Sequence, residues 1–184
     1  MRKISMLFLM MICLCIFVTA EAATIFDGSA TQLRDKMVGI VGNRAYVADI
    51  LYDEHFTNSD FCDVGDKAYR FIVGDNGTLG YCTVILFENK ERKVFRALIA
   101  ADTSDKEQTS AQVGAVSGLV MWSIGMNGNE VNEVNANIRN KLSRRLPQED
   151  SISVDVKCNS IGRIIRSTNQ LKGKFCVWMI SAVS

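Results

Sequence analysis

The chain reads as an α+β protein, with an antiparallel sheet of about five or six strands and two or three helices packed mainly on one of its faces, in a single domain. Three observations predict this. From residue 67 to about 100, and again from 151 to 180, apolar residues tend to alternate with polar ones, the period of a strand with one buried face. Over residues 33–41 and 131–142 they recur instead every three or four positions, the period of a helix packed on one side. The helical segments fall before and between two blocks of strands rather than between single strands, which favours antiparallel pairing over βαβ units.

The first segment stands apart from that domain. Arg2 and Lys3 precede an uncharged, largely apolar run over residues 4–18, followed by Thr19, Ala20, Glu21 and Ala22. A basic start, an apolar middle and small residues at the cleavage point form the pattern of a secretory signal peptide. The run is short of the roughly 20 residues that span a bilayer. Neither Cys13 nor Cys15 has a lipoprotein context, so no lipid anchor is expected, and cleavage behind Ala20 or Ala22 is expected to leave no stable transmembrane anchor. The expected organisation is a signal peptide over residues 1–22 and one exported domain over 23–184, periplasmic or extracellular. Arg2, Lys3 and Glu21 leave with the signal, so 19 basic and 19 acidic residues remain. A chain with no net charge has no bulk field to draw it to nucleic acid or to an anionic membrane.

Ser29 and Gln32 have the spacing of a capping box, in which hydroxyl and amide satisfy each other's backbone donors. Leu33, Met37, Ile40 and Val41 continue at helical spacing, and Gly42 can end that helix. Residues 44–54 suit helix and strand equally. Residues 67–73, 81–87 and 93–100 are strands, the last two joined by a charged turn over 88–92 that marks the clearest hairpin. Between the first two, Gly74, Asn76, Gly77 and Gly80 make a turn.

The segment 104–126 opens with Ser104, Asp105 and Glu107, a helix start favoured by the helix dipole. No further charge appears until Glu130, and a helix apolar all round belongs in a core. Asn127 to Glu130 breaks it and caps the next, whose apolar stripe is Val131, Val134, Ile138 and Leu142. Residues 151–158 alternate cleanly as a half-buried strand, residues 162–167 offer another, and 174–180 close the chain as a third.

Once Cys13 and Cys15 leave, Cys62, Cys82, Cys158 and Cys176 remain. Four thiols in an oxidising compartment suggest two disulfides. Proximity favours Cys158–Cys176 and Cys62–Cys82, each closing a loop near 20 residues that would stabilise by roughly 3 kcal/mol. Buried free thiols are the alternative. No Cys-x-x-Cys spacing suggests zinc, and neither a metal nor a cofactor is expected.

Catalytic signatures are scarce. His55 is the single imidazole, and Cys62, its nearest candidate partner, is expected to be oxidised. Ser160 and Gly162 resemble part of a nucleophile elbow, but Cys158 stands where the first glycine belongs and the His lies upstream. The glycines at 74, 77 and 80 precede a strand, so no helix N-terminus follows to receive a phosphate. Asp53, Glu54, Asp60, Asp63 and Asp66 do not have EF-hand spacing. Asn76 has the context of a glycosylation acceptor.

The one electrostatic feature is an asymmetry: residues 139–174 hold nine Lys or Arg against three acids. Arg139, Lys141, Arg144, Arg145, Arg163 and Arg166 are the expected basic surface, suited to an anionic envelope or extracellular partner. Few aromatics interleave with them, which argues against nucleic acid. The expected function is an exported, non-enzymatic binding or interaction protein. Two alternatives stand beside it. One is a small envelope hydrolase using Asp53 or Glu54 as acid or base. The other is a membrane-active protein using residues 111–126, where Gly114 and Gly118 have helix-packing spacing.

Overall fold

The computed structural model describes residues 23–41, 46–53, 67–74, 81–102, 106–144, 151–172 and 175–183. Helix α1 (Ala30–Val41) leads into four strands, β1 (Tyr46–Asp53), β2 (Lys67–Gly74), β3 (Tyr81–Glu88) and β4 (Val94–Asp102). Helices α2 (Lys106–Ser123) and α3 (Gly128–Leu142) follow, and then β5 (Ser151–Cys158), β6 (Arg163–Lys172) and β7 (Phe175–Val183). The strands form one sheet in the order β1-β2-β3-β4-β7-β6-β5, and every neighbouring pair is antiparallel. The α+β class holds, with seven strands rather than five or six. The additional strand is β1, whose local sequence suited helix and strand equally and whose pairing with β2 decides it. From β4 the chain crosses through α2 and α3 to the far edge, then returns strand by strand until β7 pairs with β4.

Alternation in the strands sorts their residues between two faces. Phe71, Val84, Leu86, Ile99, Val154 and Ile180 face the three helices and meet Leu33, Met37, Val120, Met121, Val134 and Ile138 in one core. Burying each such side chain stabilises by about 1.5–3 kcal/mol relative to exposure. Helix α2, uncharged after Glu107, contacts α1, α3, β3, β4 and β7. A Cβ added at Gly118 would lie 3.8 Å from Val131 Cγ1, an ordinary van der Waals contact, and one at Gly114 would face open space, so neither glycine is needed for the helices to pack. No helix among the described residues is long and apolar enough to cross a membrane. On the opposite sheet face Ala68, Phe87, Phe95 and Leu98 form a second, smaller apolar cluster.

A buried carboxylate ties each of two helix starts to distant chain. At α1 the expected capping box is formed: Gln32 N donates to Ser29 Oγ (3.2 Å) and Ser29 N to Gln32 Oε1 (2.9 Å). One donor of that first turn, Ala30 N, is left to Glu88 Oε1 at the end of β3, and Glu88 is fully buried. At α3, Asn127 and Glu130 form a second capping box (Glu130 N to Asn127 Oδ1 3.0 Å, Asn127 N to Glu130 Oε2 2.9 Å). Glu130 also accepts from Ser160 N (3.0 Å) and from Ser160 Oγ in the β5–β6 turn.

The expected Cys158–Cys176 bridge is not formed; both are free, buried thiols. The register gives the reason. Cys158 opposes Arg163 and Cys176 opposes Leu171, so eight residues of β6 separate their rows, roughly 26 Å at strand rise. Cys82 is free as well, and Cys62 lies outside the described residues. Cys82 precedes Thr83, which opposes Ala100, while Cys176 opposes Ala101. Cys82 and Cys176 therefore flank β4 at about 10 Å between Cα atoms, beyond the roughly 7 Å that a disulfide spans. Burial pushes the Cys82 thiol up to about 12, with the neighbouring Cys176 adding to it. Burial, then the charge of Glu130, pushes Cys158 up to about 11. In the native protein Cys82, Cys158 and Cys176 should resist a thiol-titrating reagent at neutral pH and react promptly once guanidinium unfolds the chain. Rapid modification of any of the three in the folded state would show that the core is open there.

Candidate functional site

Residues 25–28 run beside the start of β4. Ile25 N and Phe26 N donate to Val94 O (2.8 and 3.1 Å), and Val94 N donates to Phe26 O and Gly28 O (3.1 and 3.2 Å). The chain then turns directly into α1. A Cβ at Gly28 would lie 2.6 Å from Gln32 Oε1 and 2.7 Å from Phe26 Cε1, so a larger residue there would have to displace the Gln32 amide and the Phe26 ring. This turn, the first two turns of α1, Ile124 after α2 and the first residue of β6 border an open cleft of about 440 Å³, lined by Phe26, Asp27, Gly28, Gln32, Lys36, Ile124 and Arg163. Its volume is within the range of small-molecule sites.

Phe26 and Ile124 supply the apolar walls. Lys36 Nζ stands 4.8 Å from the centroid of the Phe26 ring, a contact worth about 0.5–1 kcal/mol at an exposed site. Arg163 Nη2 lies 2.6 Å from both carboxylate oxygens of Asp27. Thr24 Oγ1 donates to Asp27 Oδ1 (3.1 Å). The hydrogen bond from Arg163 holds the Asp27 carboxyl below its usual range against an opposing effect of burial, and Thr24 and the charges of Arg163 and Lys93 reinforce it. Asp27 is therefore an engaged carboxylate, ill suited to deliver or accept a proton.

The remaining polar groups of the lining are donors. Arg163 makes its hydrogen bonds through Nη2, and Nε and Nη1 have no hydrogen-bond partner among the described residues. Gln32 spends its carbonyl on Ser29 N, leaving its amide NH₂ without a partner there. Lys36 has no ion pair among the described residues. The α1 N-terminus offers little besides, because Glu88 and Ser29 satisfy Ala30 N, Gln32 N and Leu33 N.

No protein-family model, no curated protein and no solved structure matches this chain. Its chemistry is thus read from its own geometry.

Of the six basic residues expected to form one surface, the five described ones are spread over the end of α3 and over β6. Arg139, Lys141 and Arg144 are exposed at the C-terminal end of α3, where Lys141 Nζ donates to Ser153 O (2.7 Å). Arg166 lies on the sheet face away from the helices, with Nε and Nη2 donating to Asp155 Oδ1 and Oδ2 (2.8 and 2.7 Å). Arg163 belongs to the other end of α3, beside the β5–β6 turn that Glu130 holds. A helix of 15 residues separates its ends by about 22 Å. Arg163 and the Arg139 group therefore cannot grip one compact ligand. Among the described members of that set, Arg163 alone lines the cleft.

The signal segment, Glu54, His55, Asp60, Cys62, Asp63, Asp66, Asn76 and Arg145 lie outside the described residues, as does the turn after Gly74. Phe26, Asp27, Gly28, Lys36 and Ile124 were not singled out by sequence. The available signal was local: Asp27 and Gly28 directly precede a capping box, where a loop must turn sharply. The decisive pairing of Asp27 with Arg163, 136 residues away, has no local trace.

Proposed function

We propose that this is an exported, non-enzymatic binding protein that seats a small ligand in the cleft between Phe26, α1 and Arg163. The observation that carries this is the cleft's composition. Two apolar walls stand beside three side chains that keep donors without a partner among the described residues, while its one lining carboxylate is held in an ion pair with Arg163 Nη2. Recognition needs convergent polar groups on an apolar frame. Acid–base hydrolysis needs two facing carboxyls with separated pKa values, and the lining has one acid, with its pKa lowered. The dispersed basic residues leave Arg163 as the member of that group with a role here.

Export is supported by the composition of residues 1–22. Export does not require cross-links: buried thiols with raised pKa are poor nucleophiles and hard to reach, so they persist in an oxidising compartment. A fragment library spanning acids, amines and neutral compounds, followed by amide chemical-shift mapping, tests the binding site. Hits should converge on Gly28, Gln32, Lys36 and Ile124. They should disappear in Lys36→Trp, an exposed-helix substitution that fills the cleft. Hits that cluster elsewhere, or survive the filling, would reject the cleft as the ligand seat.

A further inference from the structure

We infer that the cleft selects an organic monoanion, a carboxylate carried on a compact apolar body. This rests on the cleft being a ligand site. Lys36 and Arg163 against Asp27 leave one surplus positive charge in the lining. A singly charged head balances it, whereas a dianion would leave an excess of negative charge. The hydrogen-bonding character points the same way. The unfilled groups are the Lys36 ammonium, the Gln32 amide NH₂ and the Nε and Nη1 of Arg163, all of them donors. A carboxylate is acceptor-only and meets them without leaving a donor facing a donor.

Competing classes fit less well. A cation would contest the ring face of Phe26, where Lys36 Nζ already stands at 4.8 Å, and would face two positive side chains. A neutral ligand leaves the surplus charge unmatched, and a bare inorganic anion leaves Phe26 and Ile124 without an apolar partner. The acid therefore needs both parts, a head at Lys36 and Arg163 and an aryl or alkyl body against Phe26 and Ile124.

The test uses three probes with one body and different heads: 4-phenylbutyrate, 4-phenylbutanamide and 4-phenylbutylamine. Each is titrated into the mature secreted protein, with the amide signals of Gly28, Gln32 and Ile124 as readout. The acid should bind about tenfold tighter than the amide, the amine should not shift these signals, and Lys36→Gln should erase most of the preference for acid over amide. Raising salt from roughly 50 to 500 mM should weaken the acid selectively. Arg139→Gln, at the far end of α3, should change nothing. Lys36 is exposed, so its variant keeps the fold, which the dispersion of the same spectra verifies. If the amide or amine binds as tightly as the acid, the monoanion assignment is wrong while the cleft remains a binding site. If none of these probes and no library fragment moves the cleft signals, the binding site itself is refuted and the assignment with it.

Discussion

Glu130→Ala should destabilise the protein by about 3 kcal/mol, combining the loss of a capping residue with the loss of hydrogen bonds to a buried carboxylate. In thermal unfolding this is a drop of roughly 6–12 °C for a domain of this size. The side chain is 7 % exposed and joins two elements that are distant in sequence: it closes the capping box with Asn127 and receives the N–H and the hydroxyl of Ser160. Its removal frees the start of α3 from the β5–β6 turn and strands their donors. Arg163 opens β6 just beyond that turn, so the variant should loosen the cleft as well, seen as broadening of the Gly28 and Gln32 amide signals. A loss under 1 kcal/mol would mean that Ser160 and α3 are held by packing alone.

The same carboxylate makes stability depend on acid. Burial by itself would raise the Glu130 pKa. Hydrogen bonds from the Ser160 side chain, and from the backbone of Ser160, Asn127 and Asn159, outweigh it and hold the group below its ordinary value of 4.5. A depressed folded-state pKa contributes stability that is complete above the unfolded value and is lost as pH falls through the folded one. The decline should therefore begin below about pH 4.5. Asp27 and Asp155 are lowered chiefly by their hydrogen bonds to Arg163 and Arg166 and add a loss of the same sign. Glu130→Gln should start less stable at neutral pH, and its gap from the wild type should narrow in acid. Parallel curves for the two proteins would exclude Glu130 from the pH response.

Glu88→Ala is the second large effect, about 2–3 kcal/mol, because the fully buried side chain is the acceptor for Ala30 N at the start of α1. Ala30 is itself 2 % exposed, so its N–H would find no water in exchange. The other carboxylate oxygen accepts no hydrogen bond among the described residues and stands 3.9 Å from Arg92 Nε, so the charge itself contributes less than the acceptor. Glu88→Gln keeps an acceptor for Ala30 and should cost under about 1 kcal/mol. Urea unfolding of both variants separates the two roles. Equal losses would show that the charge, not the acceptor, holds α1.

Much of the architecture was legible in local patterns. Ser29 with Gln32 and Asn127 with Glu130 cap their helices because the interacting groups lie within three residues of each other. Alternation from Ser151 to Cys158 described β5 correctly, because a strand with one face on a core must bury every second residue. The uncharged stretch of α2 read as core for a comparable reason: no face of it could meet water over a large area.

What tertiary structure decided has no period to betray it. Glu88 counts by sequence as one charge of a solvated turn, yet it lies beneath the start of α1. Ser160, a poor match to a nucleophile elbow, proves to be half of the joint that anchors α3. The Cys158–Cys176 bridge followed from closeness along the chain, and the β6 register sets the two thiols at opposite ends of the sheet. Arg163 looked like one of six equivalent basic residues until packing gave it Asp27 and the cleft, and left Arg166 on the other face. Helices, strands and caps depend on neighbours a few residues apart, so the amino-acid order specified them. Which distant residues meet depends on how the apolar faces of ten elements pack together, and the binding cleft exists only as a product of that packing.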